Sequence, residues 1–449
     1  MEVLSNALER TLGPLAGKIA QNKYLQVLSQ TFISLLPVIV IGAFALILSK
    51  SPVSATGFEE GSTWFVFFTA WNDWATTNLG ALKFINAATL GSLSLWVSVG
   101  IGYRWARKYD LDVLPTITVA VVNFLLLNSQ SIESGWLTSF FGGTGLFSAI
   151  IGSFLTVQLY RFLVKRGVGA IKFPPSVPAS LSNAVGSMLP MALTMLAGAV
   201  VAALAYAFAG GATIAALVME LGKPLNIAID NPLGISAVSS LGQLAFWFGI
   251  HNSAILSIFQ PILYSNLAAN ASAYAAGADP TALPYIVNQA FFYNFVTPGG
   301  AGATLALVIL LLRSRSESMK AVGKLSLVPA LFGINEPVIF GLPIMLNIKL
   351  LIPWIFVPIV NIVVAYSAMA VGLLNKPIFY MGGTAPEVIK SVLSNMDLRS
   401  VVLWVVLLLV DLVLWYPFFK SAEADALKEE GGTKSEEKPA QQALQAVAA

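Results

Sequence analysis

Apolar residues run along the chain in continuous blocks, without the alternation of a half-buried strand. The first block, 25–48, reads "LQVLSQTFISLLPVIVIGAFALIL", and others fall at 88–104, 112–128, 145–164, 185–209, 348–373 and 399–419. A hydrocarbon layer about 30 Å thick takes roughly 20 helical residues to cross. Backbone polar groups in lipid must be satisfied within the element itself, so blocks of this kind predict helices and not a barrel of short alternating strands. The expectation is an all-α polytopic membrane protein.

Lys and Arg set its orientation. Arg10, Lys18 and Lys23 precede the first block, and clusters follow at Arg104/Arg107/Lys108, Arg161/Lys165/Arg166/Lys172 and Arg313/Arg315/Lys320/Lys324. The loop 129–144, "SQSIESGWLTSFFGGT", holds neither residue. The positive-inside rule places the N-terminus and the basic clusters in the cytoplasm. Five spans then leave residue 209 outside, and three crossings within 210–312 return the chain, making ten in all. Within that stretch, 210–225 is expected as an amphipathic connector and 264–285, "YSNLAANASAYAAGADPTALPY", as an interfacial loop. Two long runs separate the basic cluster near 313–324 from the tail. Residues 326–346 therefore enter and leave on one side, as a re-entrant hairpin or broken helix. Lys376, Lys390 and Arg399 strain this topology, and 378–399 is expected to dip inward as well. No internal repeat is visible. The tail 421–449 is charged, poor in aromatics and expected to be disordered and cytoplasmic.

Composition agrees and narrows the chemistry. Apolar residues make up 57% and charged residues 10%, with a mean hydropathy of +0.78. Soluble domains carry about a quarter charged residues. The net charge of +3 comes with no dense basic face, so a nucleic-acid partner is not expected. Zero cysteines exclude disulfides, thiolate metal sites and a phosphocysteine on these residues, and a single histidine, His251, excludes a histidine-cluster metal site. Walker, kinase and zinc motifs are absent; neither a metal nor a cofactor is expected. The N-terminal residues lack a signal-peptide pattern.

The candidate chemistry sits in "LFGINEPVIFGLPIMLN", 331–347. Glu336 lies at its centre. A charged group deep in a bilayer costs at least ~2.5–3.5 kcal/mol, so it normally lines a cavity or has a partner. Pro337 and Pro343 remove backbone donors, while Gly333 and Gly341 permit tight turns, which is how broken helices build sites at the membrane midplane. The plainer alternative is a kinked helix with Glu336 hydrogen-bonded to a neighbour. His251, in "LAFWFGIHNSAIL", can orient a hydroxyl or partner a carboxylate, or can simply tie two helices together. Phe246, Trp247 and Phe248 beside it offer an apolar face to a sugar ring, or ordinary packing. Asp411 reads as a helix–helix hydrogen-bonder and Asp230/Asn231 as loop or cap residues. "TPGGAGATLAL", 297–307, reads as close helix packing.

These residues carry a resemblance. "FGINEPVIFGLPIMLN" resembles the signature of the sugar-translocating IIC component of bacterial phosphoenolpyruvate-dependent phosphotransferase systems, in the lactose/cellobiose/diacetylchitobiose family. "KIAQNKYLQVLSQTFISLLPVIVIGAF", "FPPSVPASLSNAV", "FWFGIHNS" and "PGGAGATLAL" support it, and the resemblance covers about 10–420. It implies ten transmembrane helices plus two re-entrant hairpins, a homodimer, and an elevator-like movement of the later half. The halves are then 1–212, a five-helix dimerisation scaffold, and 213–420, a transport half that cradles a β-linked disaccharide. It further implies a separate IIB protein that passes a phosphoryl group from its phosphocysteine to the sugar 6-hydroxyl. The family's ligand-contacting histidine falls on His251, its carboxylate on Glu336, and Asn335 belongs to the same motif. A tryptophan expected five residues before the histidine is Phe246 here, with Trp247 next to it. The tryptophan of the later hairpin is replaced around "FYMGGTAP", with Tyr380 in its place. The protein is thus expected in a bacterial cell membrane with both termini cytoplasmic. A proton-coupled sugar symporter, with Glu336 as proton site, is the alternative from another class, and a sensor without transport is a third.

Overall fold

The computed structural model describes residues 22–49, 59–132, 135–170, 179–249, 251–342, 344–382 and 385–447. Arg10, Lys18, Lys172 and Pro343, singled out above, lie outside them. Helices dominate: α1 Lys23–Ser49, α2 Thr63–Thr77, α3 Leu79–Ala88, α4 Leu93–Tyr109, α5 Val113–Asn128, α6 Leu146–Lys165 and α7 Ala179–Phe208 make the first half. Ile214–Ile229 (α8), Pro232–Trp247 (α9) and Ser253–Ala275 (α10) follow. Two strands of two residues each, Ser131–Ile132 and Gly135–Trp136, pair antiparallel within the loop that lacks Lys and Arg.

The helix starts follow from local chemistry. Asp112 accepts from the Leu114 amide at 3.2 Å, Thr213 from the Ala216 amide at 3.2 Å, and Asn231, followed by Pro232, from the Gly234 amide at 2.9 Å. Each side chain satisfies a donor that the helix cannot. The cap reading of Asn231 therefore holds, and Asp230 beside it accepts from the Ile286 and Val287 amides at 3.0 and 2.6 Å. Along the basic end, Arg104 donates to Gln30 at 3.0 Å and Lys108 to Gln26 at 3.2 Å, tying α4 to α1.

Among the described residues six helices are long and apolar enough to cross a membrane: Lys23–Ser49, Leu79–Tyr109, Gly143–Lys165, Leu181–Phe208, Ile348–Ala370 and Arg399–Glu430. A bent pair, Gln289–Ala303 with Leu305–Leu312 at 52°, makes a seventh if counted as one span, and Val113–Asn128 is apolar but shorter. The chain is thus a mostly helical, multi-pass membrane protein. The expected number of ten exceeds this count among the described residues.

Helix α10 corrects the sequence reading. The stretch 264–275, expected as part of an interfacial loop, is helix, and Tyr264, Asn266, Leu267 and Asn270 on it are buried. Its asparagines donate inward, Asn266 to Val287 O at 2.9 Å and Asn270 to Tyr285 O and Pro377 O at 2.7 and 2.8 Å. Small polar residues signal a loop only when nothing faces them; here backbone carbonyls do.

After α10 the chain is repeatedly broken. A short helix, Gln289–Phe291 (α11), runs into a π turn over Phe292–Val296, and a 3-10 turn over Ala301–Ala303 precedes Leu305–Leu312 (α12). Glu317–Leu331 (α13) ends at a second break before the six-residue Glu336–Gly341 (α14). Ile348–Ala370 (α15), Glu387–Asn395 (α16) and Arg399–Val447 (α17) complete the order. Asn361 on α15 donates to Asp411 on α17 at 3.2 Å, the helix–helix bond expected of that aspartate.

The last helix departs from composition. Of the tail expected to be disordered, residues 421–430 continue it as helix. The physical reason is visible at 423–430, where acidic side chains meet the α12–α13 turn. Glu423 accepts from Ser314 Oγ at 2.8 Å and Arg315 N at 2.7 Å, and Glu430 from Ser316 Oγ at 2.7 Å and Ser318 N at 3.1 Å. These carboxylates satisfy amides and hydroxyls at the start of α13 and hold the helix end against the protein.

Candidate functional site

Four chain breaks converge on one cavity, with about 800 Å³ of space counted out to its mouth. The first wall is the break between α9 and α10. It carries Phe246, His251 and Asn252. The second is the π turn together with the loop up to residue 301, with Phe292, Tyr293, Thr297, Gly300 and Ala301. The third is 332–336, and the fourth is 380–390, with Tyr380, Gly382, Glu387 and Lys390.

The tip at 332–336 forms because α13 closes on tight bonds, Phe332 N to Pro329 O at 2.9 Å and Gly333 N to Ala330 O at 3.0 Å. Gly333 then takes φ +82°, a left-handed turn that side-chain-bearing residues avoid. Pro337 sits in the first turn of α14, where a missing amide costs no hydrogen bond. Glu336 is thereby delivered at the start of a new helix and half-exposed to the cavity.

The opposing tip, 297–303, approaches it closely. Gly300 has φ +100°, and a Cβ there would lie 2.6 Å from Asn335 Cγ. Asn335 is buried, and its amide donates to Ala301 O at 2.7 Å and Thr304 Oγ1 at 2.9 Å. The two broken tips are therefore latched together by one side chain. The Gly-rich 297–307 stretch does pack closely, as expected, but it also forms a wall of the site.

His251 Nε2 stands 3.7 Å from Glu336 Oε1, with side-chain exposures of 57% and 47%. That separation exceeds a hydrogen bond, yet an oxygen about 2.8 Å from each atom closes a triangle on it. One hydroxyl oxygen can thus touch carboxylate and imidazole together. The His251 ring lies 4.9 Å from Phe246, which meets Trp354 edge-on at 5.8 Å.

Of the six residues expected at the site, His251, Glu336, Asn335, Phe246 and Tyr380 line this cavity. Trp247 is not among them. Its side chain is fully buried in the apolar core, and its indole donates to Asn347 O at 3.1 Å. Adjacent residues on a helix point about 100° apart, and here that step turns Phe246 to the cavity and Trp247 into the core.

Glu387 and Lys390 were missed as site residues. Both are buried, at 2% and 3% exposure, and both line the cavity. Glu387 Oε2 accepts from the Gly299 amide at 2.6 Å, and a Cβ on Gly333 would sit 2.6 Å from Oε1. This carboxylate thus touches both broken tips. The signal was present: charges three apart in "APEVIKSVL", between two apolar spans, are intramembrane ionisable groups by position. No cluster of three or more metal-ligating side chains occurs among the described residues.

The family model described as Phosphotransferase system, EIIC matches residues 29–358. The chain is 32% identical to the lichenan permease IIC component of Bacillus subtilis (strain 168), with 98% of each covered. It is 31% identical to the PTS system cellobiose-specific EIIC component of Geobacillus stearothermophilus, with 96% of each covered. Against the PTS system lactose-specific EIICB component of Staphylococcus haemolyticus (strain JCSC1435), identity is 31%, over 94% of this chain and 71% of that protein. A solved structure, that of the transporter ChbC, the IIC component from the N,N'-diacetylchitobiose-specific phosphotransferase system, superposes with a TM-score of 0.83. That match has 30% identity and covers 95% of this chain and 99% of the other.

Proposed function

The chain belongs to the phosphotransferase system EIIC family, and on that premise we propose that it is a permease for a β-linked disaccharide of the cellobiose, diacetylchitobiose or lactose class. It binds the sugar in the cavity above, carries it across the bacterial cell membrane and presents its 6-hydroxyl to a phosphorylated IIB protein in the cytoplasm. The names of the relatives support the sugar class. The single observation that carries the mechanism is that His251 and Glu336 meet at 3.7 Å in one cavity built from broken helices.

The chemistry follows from that geometry. Transfer breaks the sulfur–phosphorus bond of the phosphocysteine and forms an oxygen–phosphorus bond at the sugar. The hydroxyl proton passes to Glu336, with His251 orienting the hydroxyl. Positioning and charge stabilisation account for most of the acceleration in such transfers. The 449 residues hold no cysteine, so the phosphoryl carrier is a different polypeptide or segment.

The same reading includes ten spans with two re-entrant hairpins, a homodimer through the scaffold half 1–212, elevator-like movement of 213–420, and both termini in the cytoplasm. The experiment is the chemical form of accumulated sugar. Vesicles holding the permease, phospho-IIB and labelled disaccharide should accumulate a phosphate ester. Accumulation of free disaccharide driven by a proton gradient would replace this reading with the symporter.

A further inference from the structure

We propose that the closed end of the cavity is the subsite for the sugar ring that is not phosphorylated, and that Lys390 selects what binds there. The inference rests on the permease reading above and deepens it. The two ends of the cavity differ in access. His251 and Glu336 are half-exposed at one end, whereas Glu387 and Lys390 are almost wholly buried, yet all four line the same space. A phosphoryl donor carried on another protein can reach only the open end. A disaccharide with its accepting hydroxyl between His251 and Glu336 therefore extends its second ring towards Lys390.

A buried ammonium is costly, several kcal/mol unless paired and hydrogen-bonded, so its presence calls for a reason. Glu387, one turn earlier on the same helix, offsets the charge. That carboxylate is itself engaged, with Oε2 on the Gly299 amide and Oε1 against Gly333. The Lys390 backbone is anchored by Asn294, which donates to its carbonyl at 3.5 Å, and by its own amide donating to Pro386 O at 3.0 Å. Its ammonium makes no hydrogen bond among the described residues, leaving three N–H donors at the cavity wall.

The charges on the walls say what those donors await. Two carboxylates, Glu336 and Glu387, line the cavity with one ammonium, so an acidic sugar would add a third negative charge. Hydroxyl and ring oxygens of a neutral sugar satisfy the donors without that penalty. Tyr293 and Tyr380, with ring centroids 5.5 Å apart, supply an apolar face beside them.

The test starts from the unaltered permease in detergent or nanodiscs, measuring affinity for cellobiose, lactose and diacetylchitobiose and for the one-ring ligand methyl β-glucoside. Lys390→Met should weaken the tightest disaccharide about 10- to 100-fold, the range for a hydrogen bond from a charged group. Methyl β-glucoside should change less than about threefold, and the loss in phosphorylation should fall on KM, not kcat. Disaccharides lacking single hydroxyls on the second ring extend the test. One deletion should weaken the unaltered protein and add nothing in Lys390→Met. Equal losses for one-ring and two-ring ligands, no loss at all, or additive losses for every hydroxyl would overturn the assignment. If Lys390→Met does not fold, Lys390→Arg decides with the same sugars: a change in which hydroxyl matters supports the subsite, and an unchanged pattern rejects it. An unaltered protein that binds none of the disaccharides and yields no phosphate ester removes the substrate reading itself, and this inference with it.

Discussion

Asn335 joins the two broken tips, and breaking that latch should cost both stability and sugar affinity. Asn335→Ala removes donors to Ala301 O at 2.7 Å and Thr304 Oγ1 at 2.9 Å, in a spot where Asn335 is only 4% exposed. Each hydrogen bond contributes a net ~0.5–1.5 kcal/mol, and a buried acceptor left unpaired costs ~1–3 kcal/mol. Thr304 Oγ1 retains a bond to Gly299 O at 3.0 Å, so Ala301 O is the main orphan. The total is about 2–4 kcal/mol, or on the order of 30- to 1,000-fold in the latched population. Because Glu336 follows Asn335 directly, part of this loss should appear as weaker disaccharide binding. The assay is a double-mutant cycle with Thr304→Val, read by thermal unfolding in detergent and by sugar Kd. Residues that share a hydrogen bond show a coupling of about 0.5–3 kcal/mol, whereas independent ones add to within ~0.5 kcal/mol. Additive effects in both readouts would refute the latch.

Glu336→Gln should abolish phosphorylation from phospho-IIB while retaining measurable sugar binding, because the amide keeps the shape but cannot take the proton; normal phosphorylation would reject the base assignment. Gly302 has φ +73°, and a Cβ there would stand 2.3 Å from Trp354 Cε3, so Gly302→Ala should lower the yield of folded protein and its midpoint. Left-handed strain of ~1–3 kcal/mol and overpacking of ~1–3 kcal/mol set the scale, and an unchanged melting curve would contradict the tip geometry. The absence of cysteine allows a clean test of orientation. A single cysteine at Arg315 should react with a membrane-impermeant thiol reagent only from the cytoplasmic side, and one at Trp136 only from outside. Labelling of both from the same side would overturn the assigned topology.

What the linear order of residues determined by itself is the membrane class, most of the long spans and the two polar residues, His251 and Glu336, that meet in the cavity. Those properties are local or compositional. An apolar run of sufficient length must be helical in lipid, and an acid among prolines and glycines within such a run marks a break facing a cavity. Only the tertiary structure decided which neighbours share that cavity. Phe246 and Trp247 are equally aromatic, and one residue of helical rotation sends the first into the cavity and the second into the core. Asn266 and Asn270 looked like loop residues until the carbonyls that satisfy them, 15 to 107 positions away, came into view. Lys390 registered in the sequence only as a charge straining the topology and Glu387 not at all, because their place in the cavity depends on the packing of Glu387 against Gly299 and Gly333. Burial and pairing are properties of the folded arrangement. Hydropathy prices a residue by its type, whereas the cost of a buried charge depends on what stands opposite it.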